Sequence, residues 1–202
     1  MTGIVVLASG NGSNAQALLD ATTDGRIRGN VVAVVTDNPA ARVLGRARNA
    51  GVTAVIVERD PGTTRADFDA RLAATVAAFA PGLVVLAGWM RILTMGFIGS
   101  VGAPVVNLHP ALPGELAGTH AIERAWEERL SGRTHSGVMV HLVPDEGVDT
   151  GPALGTTRVP LWPDDTLGEF EERMHAAEHE LLVSVVGGIM DGGLTAGEGA
   201  HA

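Results

Sequence analysis

The sequence predicts an α/β protein: a mostly parallel central sheet flanked by helices, with an antiparallel C-terminal extension. Two observations carry the prediction. Short, nearly continuous apolar runs at 3–9, 31–36, 53–57 and 83–87 alternate with helical patterns, the rhythm of parallel strands buried on both faces. Past about residue 130 the pattern changes. Ser136 to Val143 and Ala153 to Val159 alternate like an antiparallel pair. No internal repeat or linker interrupts the chain, so its 202 residues read as one compact unit.

The first run, Gly3 to Ser9 (GIVVLAS), predicts a central strand. Gly10-Asn11-Gly12-Ser13-Asn14 follows, and then a helix from Ala15 to about Ala21. A Gly-rich turn between strand and helix presents free backbone N–H groups at the positive end of the helix dipole. Ser13 and Asn14 add side-chain donors and can cap the helix. The turn therefore reads as a cradle for a mononucleotide phosphate. It also fits the dinucleotide fingerprint loosely, as Gly10-x-Gly12-x-x-Ala15, with Asp37 as a ribose acid after the second strand.

Val31 to Thr36 predicts the second strand, Ala40 to Asn49 an Arg-rich helix, and Thr53 to Val57 the third strand. A helix from about Thr64 to Phe79 follows, with Phe68, Leu72, Val76 and Phe79 at core spacing. Leu83 to Ala87 predicts the fourth strand. From its carboxyl end leaves Gly88-Trp89-Met90-Arg91-Ile92-Leu93, suited to lining a slot for a flat heterocycle whose polar edge meets backbone groups. The next apolar run, Ala103 to Val106, delivers Asn107-Leu108-His109-Pro110. Residues two apart on a strand share a face, so an amide and an imidazole stand together near a strand end. The amide can serve a developing oxyanion, and the imidazole can carry a proton near neutral pH.

Ala121 to Leu130 predicts a helix, and residues 144–152 form a polar loop with two Pro and two Gly, where a catalytic acid could sit. Thr166 caps a long helix from Leu167 to Met190, and the Gly/Ala-rich tail from Gly192 is expected to fray.

Composition excludes several chemistries. The chain has no cysteine, which removes disulfides, thiolate nucleophiles and Cys-ligated zinc. All 14 basic residues are Arg, so Schiff-base and P-loop lysine chemistry are absent too. A net charge of −9 opposes general attraction to nucleic acid or anionic membrane, and 3% aromatic content offers little for stacking bases. No apolar run approaches the roughly 18 residues of a membrane span. The N-terminus lacks the basic start of a signal peptide, so a cytoplasmic location is expected.

His175-Ala-Ala-Glu178-His179 matches the inverted zincin pattern H-x-x-E-H. The spacing puts both imidazoles on one helix face, as a zinc-gripping helix would. A third ligand would have to come from His109, His120, His135 or His141, which no motif orders. The alternatives are a polar helix face or a substrate contact from Glu178.

Strand–GNGSN–helix, GWMRIL, NLHPALPG, VMVHLVPDEGVDTGP and AAEHELL occur in that order. Together they resemble the phosphoribosylglycinamide formyltransferase family, the folate-dependent transformylases of purine synthesis, over nearly the whole chain. The resemblance implies a Rossmann-like formyltransferase fold in a single domain. Residues 1–106 would form a nucleotide-binding half, 107–191 a catalytic and folate-binding half, and 192–202 a flexible tail. It implies transfer of a formyl group from 10-formyltetrahydrofolate to the amine of glycinamide ribonucleotide, with no metal. Gly12, Ser13, Asn14 and Glu178 would hold the ribonucleotide. Arg65, Met90, Arg91, Ile92 and Leu93 would take the folate, with Asn107 and the wall formed by Asp145, Glu146, Gly147, Val148 and Asp149. Asn107, His109 and Asp149 match the family's catalytic trio, with Asp149 expected to raise the His109 pKa. Partners would be these small molecules, with no nucleic acid and no membrane, and a homodimer is compatible. The alternatives are a formyltetrahydrofolate hydrolase, a sugar-nucleotide formyltransferase or a nucleotide-binding module without catalysis.

Overall fold

The computed structural model describes residues 3–193. The expected frayed tail therefore lies, beyond Gly193, outside the described residues. The strands are β1 (Gly3–Leu7), β2 (Asn30–Thr36), β3 (Thr53–Ile56), β4 (Pro81–Leu86), β5 (Val105–His109), β6 (His135–Leu142) and β7 (Ala153–Pro160). They form one sheet in the order β3-β2-β1-β4-β5-β6-β7. β1 to β5 are parallel; β6 and β7 are antiparallel to their neighbours.

Alternation within each strand divides the core into two layers. Ile4, Val6, Leu83 and Val85 pack with Leu18, Val43 and Leu182, which belong to α1 (Ser13–Thr23), α2 (Val43–Asn49) and α6 (Leu167–Met190). Val5, Leu7, Val84 and Leu86 face the other way, onto Phe68 and Leu72 of α3 (Arg65–Ala77) and Phe97 of α4 (Met95–Ser100). Each such side chain contributes about 1.5–3 kcal/mol when fully buried. A third cluster, built on Val138, Val159, Phe170 and Met174, closes the antiparallel end beneath α5 (Ala121–Glu128).

The predicted order of elements is present, with three differences. The second helix begins at Val43 rather than Ala40. α4 has no counterpart in the sequence reading: its six residues carry two glycines, too short and too weak in propensity to register. Strand β6 does not alternate in burial, because six consecutive residues from Ser136 to His141 are buried. Helices on one side and loops on the other cover both its faces.

Topology places the site. The chain runs outward from β1 through β2 and β3, then returns to β4 on the other side of β1. Such a reversal opens a crevice at the carboxyl ends of the two diverging strands. The Gly10–Asn14 turn leaves β1 there and Gly88–Leu93 leaves β4. The last residue of β4, Leu86, pairs with Asn107 on β5. Pro110 follows the final residue of β5. No helix among the described residues is long and apolar enough to cross a membrane.

The turn after β1 depends on Gly12. Its φ is +75°, and a Cβ there would lie 2.4 Å from Cγ2 of Val43 in α2. Left-handed strain and overpacking add, so Gly12→Ala is expected to cost about 2–4 kcal/mol, read as a lower urea midpoint in equilibrium unfolding.

Candidate active site

At the crevice a cleft of about 680 Å³ opens over β4 and β5. The carboxylate of Asp149 lies at its floor, its side chain only 10% exposed. Asn107 Nδ2 donates to Asp149 Oδ1 at 3.1 Å, and the backbone N–H of Gly118 donates to Oδ2 at 2.8 Å. His109 Nδ1 is 3.3 Å from Oδ2. One carboxylate thus touches both Asn107 and His109, which places the two side chains on the same face of β5, as their spacing requires. Asp149 reaches them with φ +54°, a left-handed conformation costly for a non-glycine residue and sustained by these contacts.

The His109 ring is buried and both its nitrogens face acceptors, since Nε2 lies 3.2 Å from the Leu116 carbonyl oxygen. Burial pushes its pKa down, while the Asp149 charge and the Leu116 carbonyl push it up. Burial wins, and the pKa lies below its ordinary value. Asp149 acts in the direction expected from the sequence, raising the pKa, and the burial of the ring outweighs it. Burial pushes the Asp149 carboxyl up, but the neighbouring His141, the Gly118 amide and His109 together hold it below the usual range.

Neither Gly118 nor Leu116 was legible as a site residue, because each acts through its backbone. Arg124 holds their loop by donating to the carbonyls of Leu116 and Ala117. His141 was also missed, although a histidine inside a continuous apolar strand was a visible signal. It is 2% exposed and stands opposite Asn107 in the β5–β6 register.

The ribonucleotide candidates divide. Gly12 is the N-cap of α1 and supplies no side-chain cap. Thr64, Thr94 and Thr166, by contrast, accept from the first-turn amides of α3, α4 and α6. The expected capping by Ser13 or Asn14 does not occur, which leaves the first-turn N–H groups of α1 for an anion. Asn14 lines the cleft and donates through Nδ2 to Glu178 Oε2, a long 3.4 Å bond from α1 to α6. Glu178 lines the cleft too, while Ser13 opens onto a neighbouring hollow with Arg46 and His179. Burial pushes the Glu178 carboxyl above its ordinary pKa, outweighing His175 and Asn14.

On the opposite side Met90, Arg91, Ile92 and Leu93 line the cleft with Asp145, Gly147, Val148 and Asp149. The segment is pinned at both ends. Met90 N–H donates to Ser9 Oγ at 3.2 Å, and Thr94 N–H donates to the buried Asp69 carboxylate at 2.6 Å. Arg91 Nε donates to Asp37 at 2.6 Å, and its guanidinium lies over the Phe68 ring. Asp37 is therefore an ion-pair partner, not the ribose acid of a dinucleotide site. Arg65 and Glu146 are not on the lining. Arg65 donates to the Ile92 carbonyl at 3.1 Å and pairs with Glu146 at 3.0 Å, while Glu146 accepts from Met95 N–H at the start of α4. Together they clasp the two loops from outside.

The zinc motif finds no completion among the described residues. His175 is exposed and Glu178 is buried. His109 and His141 are engaged around Asp149, His120 faces Glu123, and His135 faces Arg158. Among the described residues no group of three His, Cys, Asp or Glu side chains could hold a metal ion.

A crevice at a strand reversal, with uncapped helix-end amides on one flank and an amide, imidazole and carboxylate at its floor, is the make-up of an α/β group-transfer enzyme. The formyl transferase family model matches residues 2–186, and the chain belongs to that family. Phosphoribosylglycinamide formyltransferase of Schizosaccharomyces pombe is 40% identical over 198 residues, covering 91% of this chain and 94% of that one. The Escherichia coli protein of the same name is 36% identical, covering 98% and 91%. Among solved structures, glycinamide ribonucleotide transformylase 1 from Symbiobacterium toebii superposes with TM-score 0.91 at 35% identity, covering 98% of this chain and 92% of that one.

Glu178 generates a prediction about stability. Its folded-state pKa is raised, so the folded state favours the protonated form. That contribution is full below the unfolded carboxyl pKa and is lost as pH rises through the folded value. Glu178→Gln should therefore raise the melting temperature near pH 7. The gain should shrink as pH falls toward the ordinary carboxyl range, as followed by calorimetry across pH.

Proposed function

We infer that this chain transfers a formyl group from 10-formyltetrahydrofolate to the amine of 5'-phosphoribosylglycinamide, in the cytoplasm, in the purine pathway leading to IMP. The observation that carries the assignment of roles is the Asp149 carboxylate, in contact with both Asn107 and His109 between an anion cradle and an apolar slot. The relatives carry this activity in their names.

Ribonucleotide binding falls to Gly12, Ser13 and Asn14, whose helix-end amides suit a phosphate. Glu178, buried beside Asn14, reaches the same substrate. A carboxylate kept this dry at a stability cost is better explained by a ligand than by packing. The folate fits the opposite wall, where Met90, Ile92 and Leu93 give apolar surface and backbone groups for the pterin edge. Asp145, Gly147, Val148 and Asp149 close that wall, and Arg65 and Glu146 hold it in shape from behind.

In the reaction the neutral amine attacks the formyl carbon. Asn107 and a protonated His109 stabilise the negative charge that develops on the carbonyl oxygen; His109, turning its Nε2–H from the Leu116 carbonyl to the substrate, lends that oxygen a proton as general acid and takes it back as the tetrahedral intermediate collapses. Asp149 fixes the ring through Nδ1 and favours its protonated form against burial. As the new C–N bond forms, the amine nitrogen gives up one proton. The folate nitrogen gains one as its bond to the formyl carbon breaks, with water carrying the proton between them.

Formyl transfer measured with purified substrates tests the reading. His109→Ala should lower kcat by about 10²–10⁴-fold with substrate binding kept. Unchanged turnover in His109→Ala and Asp149→Asn would overturn the mechanism. The pH profile carries a sign. Asp149 is the main influence raising the His109 pKa, so Asp149→Asn lowers it further. The limb on which activity falls with rising pH should then move to lower pH.

A further inference from the structure

Arg124 stands one turn into α5, half-buried, with its backbone N–H on the His120 carbonyl. A single guanidinium nitrogen, Nη2, donates to two carbonyls, Leu116 at 2.5 Å and Ala117 at 2.8 Å. Nε is buried and has no hydrogen-bond partner among the described residues. A neutral amide could hold the 116–118 loop at less cost than a cation kept partly unpaired. The charge therefore calls for a purpose beyond clamping.

The Leu116 carbonyl supplies one, because it is shared. It accepts from Arg124 at 2.5 Å and lies 3.2 Å from His109 Nε2. A carbonyl has two lone pairs, and the shorter bond, from the cation, is the stronger. His109 holds the weaker one. Leu116 sits at φ +46°, a left-handed conformation that leucine rarely adopts, so the fold imposes the place of this carbonyl between ring and guanidinium. To serve a substrate, the Nε2–H of His109 must leave it. If the ring were its sole donor, that departure would strand a part-buried acceptor.

We propose that Arg124 is a positioning residue that frees the His109 Nε2–H for the substrate, by keeping the Leu116 carbonyl satisfied as the ring turns away. The proposal rests on the formyl-transfer reading given above. Arg124 is not on the cleft lining and acts only through Leu116 and His109. Its charge works in the same sense. The groups facing the ring are Asp149 from the β6–β7 loop, His141 from β6 and Arg124 from α5, while Glu178 of α6 lines the same cleft. Asp149 favours the imidazolium; His141 and Arg124 oppose it. A cation at this place makes the protonated ring a readier donor.

Arg124→Leu removes both the charge and the donors. NMR titration of the His109 ring, read without reference to activity, should show its pKa raised. The opposing charge is gone, and the carbonyl accepts from the ring alone. A clamp and nothing more predicts the opposite sign: a loosened loop takes the Leu116 carbonyl from the ring, and with it an influence that raises the pKa. A lowered or unchanged His109 pKa in Arg124→Leu overturns the proposal. In steady-state formyl transfer the same variant should lose about 10–100-fold in kcat with both KM values nearly unchanged. The limb on which activity falls with rising pH should move to higher pH. Arg124→Lys keeps a cation with N–H groups and should hold kcat within about fivefold of wild type. Equal kcat losses in the Lys and Leu variants overturn the proposal, as does a loss confined to KM. If the Leu variant does not fold, Arg124→Gln leaves a neutral donor on the loop, and a His109 pKa there no higher than in wild type overturns it. A wild-type chain without formyl transfer would overturn the parent reading alone, and the direction of the His109 titration would still judge Arg124.

Discussion

The arrangement of the site depends on one buried carboxylate. Asp149 divides its oxygens: Oδ1 takes the Asn107 amide, while Oδ2 takes the Gly118 amide and faces the His109 ring. Those partners come from β5 and from the loop before α5, and Asp149 itself comes from the loop between β6 and β7. A single charge therefore joins three stretches that local sequence preference leaves independent. Burying it is costly, and the left-handed backbone adds to the cost. The contacts offset both only while all of them are made. The loop 116–118 is accordingly secured from behind by Arg124.

Two other titratable groups carry the same tension between burial and charge. His109 is held below its ordinary pKa and Glu178 above its own, each because the dry interior resists the ionised form. A core chosen for stability alone would place apolar residues there. Instead both groups line one cleft.

Most of the architecture was legible because it follows from hydrophobic period. Continuous apolar runs identified β1 to β4, and the long pattern ending at Met190 identified α6 to the residue. Asn107 and His109 were legible as a pair because strand alternation alone puts them on one face. What escaped the sequence was carried by backbone groups and by partners distant in the chain. The Leu116 carbonyl and the Gly118 amide have no side-chain signature. The Arg91–Asp37 pair spans 54 positions and turns an apparent ribose acid into a structural anion. The direction of the His109 shift could not be read either, because the sequence supplies the neighbouring charge but not the depth of burial that outweighs it.

The pairing of β6 has one further consequence. Its register against β7 shifts between Val140 and His141, so an irregularity sits beside the imidazole that faces Asn107. Side chains on a strand change sides with every residue, and a slip by a single place would carry His141 into the α6-facing layer now occupied by Val140. Parity therefore limits how this part of the chain can be lengthened. Surface connections elsewhere can absorb an extra amino acid, but an odd insertion within β6 would turn its side chains over and carry His141 away from Asn107.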